Sequence, residues 1–195
     1  MESNTYKTDQ DFMRLALEQA KIAAGIDEVP IGAVVVFEGE VIASAYNRRE
    51  LDKDPAGHAE FMAMKRAAEV LDAWRLTGCT VYVTLEPCIM CAGLMHQSRV
   101  SRCVYGAADP KAGALGSLYR IHEDERLNHV FEVEAGVCEE ECAQLLKSFF
   151  AEKRARNKAA KLARRAEEAK LAGTDAAGNT DDAGGEEVLY PDGNE

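Results

Sequence analysis

No apolar run in the 195-residue sequence approaches the roughly 18 residues that a membrane span requires, and residues 33–37 are typical of the longest. The first ten residues also lack the basic segment followed by an apolar segment that marks a secretory signal peptide. These two absences predict a cytoplasmic protein without membrane association. Internal repeats are absent as well, and a hydrophobic content of 47% suits one globular domain.

The sequence also lacks an excess of positive charge, since its net charge at pH 7 is −11. Phosphate contacts come from lysine and arginine, so this balance argues against an RNA partner held by bulk attraction. The charges are unevenly distributed, however: residues 151–172 carry eight basic and three acidic side chains, whereas residues 173–195 carry seven acidic and no basic ones. We therefore expect a folded domain over 1–157, a basic helical extension over 158–172 and an acidic disordered tail over 173–195.

The second C-x-x-C pair that a structural zinc ribbon needs is missing, because Cys138 and Cys142 have a different spacing from Cys88 and Cys91. Without any sign of secretion, a disulfide framework is not expected either. The four cysteines outside the C-x-x-C pair are interpreted as buried free thiols, namely Cys79, Cys103, Cys138 and Cys142. His96, His122 and His129 have no partner at ligand spacing and are interpreted as non-catalytic.

Hydrophobic periodicity predicts strands that alternate with helices after an opening hairpin. The predicted helices span about 8–24, 59–71, 88–97 and 138–170, the last as one helix or two, and the predicted strands span 31–37, 41–46, 79–85, 102–105 and 129–133. This alternation is typical of a layered α/β domain with a mixed sheet.

Two short segments carry the candidate chemistry, His58-Ala59-Glu60 and Pro87-Cys88-Ile89-Met90-Cys91. Cys88 and Cys91 lie at a predicted helix start, where backbone N–H groups and the helix dipole favour thiolates. Two thiolates and the imidazole of His58 suit zinc, and three protein ligands leave a fourth tetrahedral position open for water. Glu60 lies two positions after His58, so its carboxylate can take a proton from that water. These residues predict a catalytic zinc site with Glu60 as the proton carrier.

With these segments the sequence resembles the cytidine deaminase-like zinc deaminases and, within them, the bacterial tRNA-specific adenosine deaminases. The resemblance covers about residues 12–156. Besides the two segments above, it is carried by Glu28-Val29-Pro30-Ile31-Gly32-Ala33, Asn47-Arg48, Thr84-Leu85-Glu86-Pro87-Cys88-Ile89-Met90-Cys91-Ala92-Gly93, Tyr105-Gly106-Ala107, Asp109-Pro110-Lys111, Gly116-Ser117-Leu118 and Leu127-Asn128-His129. H-A-E together with P-C-x-x-C specifies the superfamily, and the longer segments point to the tRNA branch.

The resemblance implies a three-layer α/β/α sandwich with a central mixed five-stranded sheet, a homodimer and one zinc ion per subunit, held by His58, Cys88 and Cys91. It implies adenosine 34 of tRNA, the wobble position, as substrate, typically in an arginine tRNA with an ACG anticodon, and inosine as product. One departure concerns Arg49, which stands where many relatives have proline after the Asn-Arg pair. We therefore expect this loop to contact RNA differently.

A pocket for the target nucleoside is also implied by the resemblance. Asn47 would contact the nucleoside, and backbone N–H groups around Ala59 and Cys88 would help to hold the water and the base. The pocket walls would come from Val29, Pro30 and Leu85.

For the neighbouring loop nucleotides, the resemblance implies contacts from Asp109 and Lys111 and from a helical segment that contains Phe149, Phe150 and Arg154. The chemistry of the segment agrees, because RNA loops are bound by stacking bases on aromatic rings and by pairing phosphates with basic side chains. Adjacent residues of a helix face different ways, so we expect one of the two phenylalanines to be buried and the other to be available. This basic helix, together with Arg48, Arg49 and Lys53, would supply the local positive charge that the chain as a whole lacks.

Two alternatives stay open at this point. A deaminase of a free nucleobase or nucleoside, of the guanine or cytosine type, would share the zinc site and would need no phosphate-binding face, although the segments around Asp109 and Phe149 favour tRNA. A non-catalytic scaffold that keeps the zinc fold is the other alternative. Such scaffolds often lose the catalytic carboxylate, and Glu60 is present.

Overall fold

The computed structural model describes residues 7–175, and for residues 169–175 it describes only the helical backbone. The elements in this range are α1 (Asp9–Gly25), β1 (Gly32–Phe37), β2 (Glu40–Tyr46), α2 (Ala59–Val70), β3 (Thr80–Leu85), α3 (Ile89–Gln97), β4 (Arg102–Ala107), a short 3-10 helix (Ile121–Glu123), β5 (Glu132–Ala135) and α4 (Glu139–Asp175). The first three residues of the predicted acidic tail end α4, and its remainder lies outside the described residues.

The five strands form one mixed sheet in the order β2-β1-β3-β4-β5. Strand β1 runs antiparallel to β2 and to β3, whereas β3, β4 and β5 are parallel to one another. The β1–β2 hairpin turns at Glu38 and Gly39, both with positive φ, a conformation that glycine adopts without strain. The mixed five-stranded sheet expected from the sequence is thereby confirmed.

Helices cover both faces of the sheet, because alternate side chains of each strand point to opposite sides. On β1, Ala33 and Val35 pack in a core cluster that contains buried residues of α2 and α3, such as Met64 and Met95. Val34 packs on the other face, in a second cluster that contains α1 residues and Cys142 of α4. The expected α/β/α layering is confirmed.

Helix α1 is held against the sheet by polar contacts that are partly exposed. Thr8 caps the helix, with its hydroxyl accepting from the Asp11 N–H at 3.3 Å and its own N–H donating to the Asp11 carboxylate at 2.8 Å. Asp9 receives both guanidinium NH₂ groups of Arg102, each at 2.8 Å, and the Tyr82 hydroxyl at 2.7 Å. These contacts join the start of α1 to β3 and β4.

The prediction for the last strand is wrong at its start, because β5 begins at Glu132 and not at residue 129. The ring of His129 hydrogen-bonds through Nε2 to the Val100 carbonyl at 2.8 Å, and the Phe131 N–H donates to the His122 carbonyl at 3.1 Å. These residues are therefore committed to the preceding loop, and pairing with β4 starts with Arg102 opposite Glu132.

The parallel strands β3 and β4 both end at the same edge of the sheet, at Leu85 and Ala107. Loops that leave the carboxyl ends of parallel strands build the sites of α/β proteins. Here they are the turn 86–88, which leads into α3, and the long loop that follows β4.

The chain divides into two compact units, Met1–Ala151 and Glu152–Glu195. In the described part of the chain no helix has the length and apolar character to cross a membrane.

Candidate active site

His58, Cys88 and Cys91 bring their ligand atoms together. The Nδ1 atom of His58 lies 3.6 Å from the sulfur of Cys88 and 3.6 Å from the sulfur of Cys91, and all three ligand atoms lie within 4.8 Å of one another. In a tetrahedral zinc site with Zn–S bonds of about 2.3 Å and Zn–N bonds of about 2.0 Å, nitrogen and sulfur are roughly 3.5 Å apart. The donor set and its spacing therefore fit zinc, with a fourth position left open.

Two helix N-termini deliver these side chains. His58 is the N-cap of α2, Cys88 is the N-cap of α3, and Cys91 is the third residue of α3. Neither N-cap side chain makes a capping hydrogen bond to its helix, so both remain available to a metal. The positive ends of both helix dipoles meet here, which stabilises thiolates.

Hydrogen bonds among the three side chains favour the thiolate at Cys88 and the thiol at Cys91. A hydrogen bond from the Cys91 thiol, together with one from His58, lowers the pKa of Cys88 to about 3. The same hydrogen bond to Cys88, together with burial, raises the pKa of Cys91. The contact with Cys88 also raises the pKa of His58. A divalent cation replaces such shared protons and favours the thiolate at both sulfurs.

Glu60 lies directly beside this group. It is the second residue of α2 and its side chain is 4% exposed. Burial raises the pKa of the Glu60 carboxyl, and a hydrogen bond from the Cys91 thiol opposes that shift. A buried carboxyl that contacts a ligand cysteine without joining the ligand group can exchange protons with a molecule at the open position.

A cavity of about 190 Å³ opens next to His58. Its lining residues are Glu28, Val29, Ile31, Asn47, Arg49, Glu50 and His58. Val29 and Asn47 were expected there from the sequence, and Arg49 lines the same cavity. Larger surface cavities lie around the His122 loop and around the start of α1. None of the predicted site residues lines these cavities.

Glu28 is a site residue that the sequence analysis missed. Its side chain is 1% exposed, and its two carboxylate oxygens accept from the Asn47 amide at 3.1 Å and from the Leu51 N–H at 2.6 Å. Glu28 thereby holds both the Asn47 side chain and the loop that follows it. The available signal was a carboxylate followed directly by the apolar segment Val29-Pro30-Ile31.

The other expected pocket residues do not line this cavity. Pro30 is buried between Val29 and Ile31, and Ala59 is fully buried at the start of α2. Leu85 is half-buried at the end of β3 and packs against the core cluster on the α1 face of the sheet.

The basic residues of the loop after β2 are partly neutralised. Arg48 pairs with Asp52 through two hydrogen bonds of 2.7 and 2.8 Å, and it also donates to the Tyr46 hydroxyl at 3.2 Å. Arg49 lies 3.9 Å from Glu50. The positive charge expected from this loop is therefore smaller than the sequence suggests.

Glu86 organises the long loop after β4 and was also missed. Its carboxylate is 2% exposed and accepts from the N–H groups of Asp109, Leu115 and Ser117 at 2.9 to 3.1 Å, and from the Ser117 hydroxyl. Although burial opposes the shift, these hydrogen bonds lower the pKa of Glu86. Only glycine fits at position 113, where a Cβ would lie 2.3 Å from the carboxylate. A carboxylate in an otherwise apolar strand end was the signal.

This loop pairs with the turn that carries Cys88. Gly113 forms a β-bridge with Cys88, and the Ala114 N–H donates to the Pro87 carbonyl at 2.9 Å. Asp109 uses one carboxylate oxygen to accept from the N–H groups of Lys111 and Ala112, at 2.9 and 3.3 Å, whereas the Lys111 side chain is exposed. Asp109 therefore shapes the turn that presents Lys111.

The expectation for the two phenylalanines is confirmed. Phe149 is 7% exposed, whereas Phe150 is 41% exposed, and the two rings meet edge to face with centroids 5.5 Å apart. Arg154 belongs to the second compact unit and is exposed. The four cysteines outside the ligand group are free thiols, as expected, and three of them are buried, whereas Cys138 is only half-buried.

Comparison with known proteins identifies the family to which this chain belongs. Residues 7–154 match the model of the MafB19-like deaminase family. A tRNA-specific adenosine deaminase of Bacillus subtilis is 49% identical over 153 residues, which are 78% of this chain and 95% of that protein. One of Haemophilus influenzae is 43% identical over 151 residues, which are 77% of this chain and 87% of that protein.

A solved structure agrees with these relatives. It comes from a study of A-to-I editing by tRNA:A34 deaminases at the wobble position, has a TM-score of 0.67 and is 45% identical, and the match covers 69% of this chain and 98% of that chain. The chain therefore belongs to the family of the tRNA-specific adenosine deaminases, whose domain the MafB19-like deaminase model describes.

Proposed function

We propose that this chain deaminates adenosine 34, the wobble position of tRNA, and produces inosine and ammonia. The observation that carries the proposal is the buried Glu60 beside three ligand atoms whose nitrogen and sulfurs are 3.6 Å apart. The relatives named tRNA-specific adenosine deaminase and the tRNA:A34 deaminase structure support tRNA as the substrate.

The reaction is a hydrolysis. His58, Cys88 and Cys91 would hold one zinc ion per subunit, which when bound supplies Lewis-acid activation of a water molecule. Glu60 takes the proton that the water loses as its oxygen attacks C6 of adenine, and transfers it to N1. Glu60 then moves the second proton of the water to the departing amino group. Adenosine and water thereby become inosine and ammonia, with no other reactant.

The substrate pocket is the cavity beside His58. Asn47 and Val29, which line it, contact the target nucleoside. Pro30 and Leu85 support the pocket walls, and the backbone at Ala59 helps to hold the base. An anticodon loop presents unstacked bases, so little of the energy needed to extract a base from a duplex is spent.

The loop nucleotides on either side of the target are held by a second set of residues. Asp109 and Lys111 contact them from the loop that Glu86 organises. Phe150 offers an exposed ring on which a base can stack, with Phe149 packed edge to face behind it. Arg154 binds a backbone phosphate.

Further parts of the proposal concern the assembly and the substrate set. The chain acts as a homodimer in the cytoplasm, on an arginine tRNA with an ACG anticodon. The deaminase domain spans 1–157, followed by a basic extension over 158–172 and an acidic tail over 173–195.

The test is an assay with matched substrates. The zinc-loaded full-length chain is incubated with an ACG anticodon stem-loop, with the same stem-loop carrying guanosine at position 34 and its adenosine at a neighbouring position, and with free adenosine, guanine and cytosine. Digestion and mass spectrometry should find inosine only in the first RNA. If a free base or nucleoside released ammonia and the stem-loop stayed unchanged, the chain would be a deaminase of free bases or nucleosides. If the chain bound zinc but turned over none of these substrates, it would be a non-catalytic scaffold.

A further inference from the structure

Helix α4 carries a row of basic side chains beyond the part that matches the family model, which ends at residue 154. Arg154, Lys158, Lys161 and Arg165 are separated by four, three and four residues. With 3.6 residues per turn, these four side chains fall within an arc of about 60° and extend over roughly 16 Å of the helix. We call them the basic stripe.

The basic stripe is exposed, and Glu168, the acidic residue nearest to its face, pairs with Arg164 outside the stripe. All four of its residues are exposed. Arg164 pairs with Glu168 at 3.3 Å on a neighbouring face of the same helix. The segment is positive although the whole chain has a net charge of −11. A regular face of uncompensated cations in an acidic chain fits a polyanionic ligand.

A membrane surface does not fit this helix. Amphipathic helices that bind lipid oppose their basic face with a broad apolar face of large side chains. The faces away from the basic stripe carry alanines such as Ala159 and Ala163, and Leu162 is the large apolar residue between 152 and 168. The stripe also contains no aromatic ring on which an unpaired base could stack.

Cations without aromatic rings match the phosphates of paired RNA, which proteins bind through backbone contacts and shape. We propose that the basic stripe binds the phosphate backbone of the double-helical stem of the RNA substrate. This inference rests on the proposed function, because it takes that substrate to be an RNA. It assigns a role to Lys158, Lys161 and Arg165, which lie outside the match to the family model.

The experiment compares two triple variants of the full-length, zinc-loaded chain. K158Q/K161Q/R165Q removes three charges from the basic stripe and leaves Arg154 in place. K153Q/R156Q/R164Q removes three charges from the other faces of the same helix. Binding is measured by fluorescence anisotropy from 50 to 300 mM KCl, with the anticodon stem-loop and with the single-stranded loop heptamer as ligands. Circular dichroism checks that helix content is equal.

The stripe variant should bind the stem-loop about tenfold more weakly at low salt. The slope of log K against log salt should decrease in magnitude by roughly two to three, because each lost phosphate contact in a duplex removes about 0.9 from it. Its affinity for the heptamer should not change, and the control variant should behave as wild type. An equal loss in both variants, or an unchanged salt slope, overturns the proposal. Absence of inosine with wild-type protein would instead refute the proposed function. The binding comparison would still test whether the basic stripe binds the stem.

Discussion

The side-chain amide of Asn47 donates to Glu28 across 3.1 Å, and both residues are almost fully buried at the wall of the cavity beside His58. Because the carboxylate accepts from the NH₂ group, the Asn47 amide can adopt only one orientation, with its carbonyl oxygen and remaining N–H directed elsewhere. Glu28 therefore determines which atoms of Asn47 are offered to a ligand, and we regard it as a positioning residue.

Replacing Glu28 by glutamine should weaken substrate binding more than turnover. One carboxylate oxygen becomes an NH₂ group that faces either the Asn47 amide or the Leu51 N–H, so a buried donor loses its acceptor, at a cost of about 1–3 kcal/mol. We expect KM for the stem-loop to rise roughly tenfold with kcat within about twofold. Steady-state kinetics measure both constants.

The matched control is Glu50→Gln, which removes the same charge from the same cavity at an exposed position. It should leave KM near the wild-type value. If both variants raise KM equally, charge and not the orientation of Asn47 explains the effect, and the positioning role of Glu28 is lost.

Glu60→Gln should separate metal binding from turnover. The carboxyl lies outside the ligand group, so zinc content should stay near one per chain, whereas loss of proton transfer should lower kcat by roughly 10²–10⁴. Metal analysis and inosine quantification on the same sample measure the two quantities. The control is Glu69→Gln, an exposed carboxylate on the same helix. Turnover in Glu60→Gln comparable with that of the control would remove Glu60 from its role.

Cys88→Ala should lose metal and stability together. The ligand set would fall to His58 and Cys91, and the free energy of metal binding that stabilises the folded state would be lost. We expect a metal content near zero and a melting temperature several degrees lower, and EDTA should lower the melting temperature of wild type to the same value. Cys138→Ala changes a half-buried thiol outside the ligand group and should alter neither quantity. Unchanged metal in Cys88→Ala would show that the ligand set is wrong.

Much of this fold and site could be predicted from the sequence, because local patterns carry the information. The apolar periodicity of β1, β2 and α2 identified their elements within two residues of the observed bounds. The ligands His58, Cys88 and Cys91 could be predicted because each has a short motif whose spacing has a chemical reason. The burial of one phenylalanine in the pair Phe149-Phe150 followed from helix geometry alone.

Other features depend on contacts between distant segments. Glu28 and Glu86 owe their roles to hydrogen-bond donors that lie 19 to 31 residues away in the chain. A carboxylate in a sequence does not reveal which backbone N–H groups the fold will bring to it. The wrong start of β5 has the same origin. The β-branched and aromatic residues of 129–133 suit a strand, but His129 and Phe131 are held by the Val100 and His122 carbonyls.

The contact between Asp9 and Arg102 predicts a pH-dependent stability difference. The hydrogen bonds from Arg102, opposed by burial and aided by one from Tyr82, lower the pKa of Asp9 below its ordinary value of 3.8. A carboxyl whose pKa is lower in the folded state contributes stability above its unfolded pKa and loses it as pH falls. Asp9→Asn should therefore lower the free energy of unfolding at pH 7 by roughly 0.5–1 kcal/mol, because the pair is partly exposed.

Urea unfolding of both proteins at several pH values measures this difference. It should be constant from pH 7 down to about pH 5 and should shrink as the pH falls through 3.8 and below. Asp72→Asn, at an exposed position after α2, serves as the control. A difference between Asp9→Asn and wild type that does not depend on pH would show that Arg102 contributes packing and not charge.

Glu86→Gln should loosen the loop that presents Asp109 and Lys111 without removing the metal ligands. The carboxylate accepts four hydrogen bonds from this loop. In glutamine one carboxylate oxygen is replaced by an NH₂ group, which cannot accept hydrogen bonds from the N–H groups that face it. The cost should be about 1–3 kcal/mol in the free energy of unfolding. Because the loop also pairs with Cys88 through Gly113, the effect should spread to the cysteine turn.

Amide hydrogen exchange distinguishes this local effect from a general loss of stability. Exchange at the N–H groups of Leu115 and Ser117 should accelerate by more than the change in global stability allows, whereas exchange in α1 should follow global stability alone. Glu125→Gln, an exposed carboxylate in the neighbouring loop, should change neither. If the Leu115 and Ser117 amides stayed protected in Glu86→Gln, other contacts would hold the loop. Glu86 is linked to Lys111 only through its hydrogen bonds to this loop. If those bonds did not hold the loop, Glu86 would have no part in presenting Lys111.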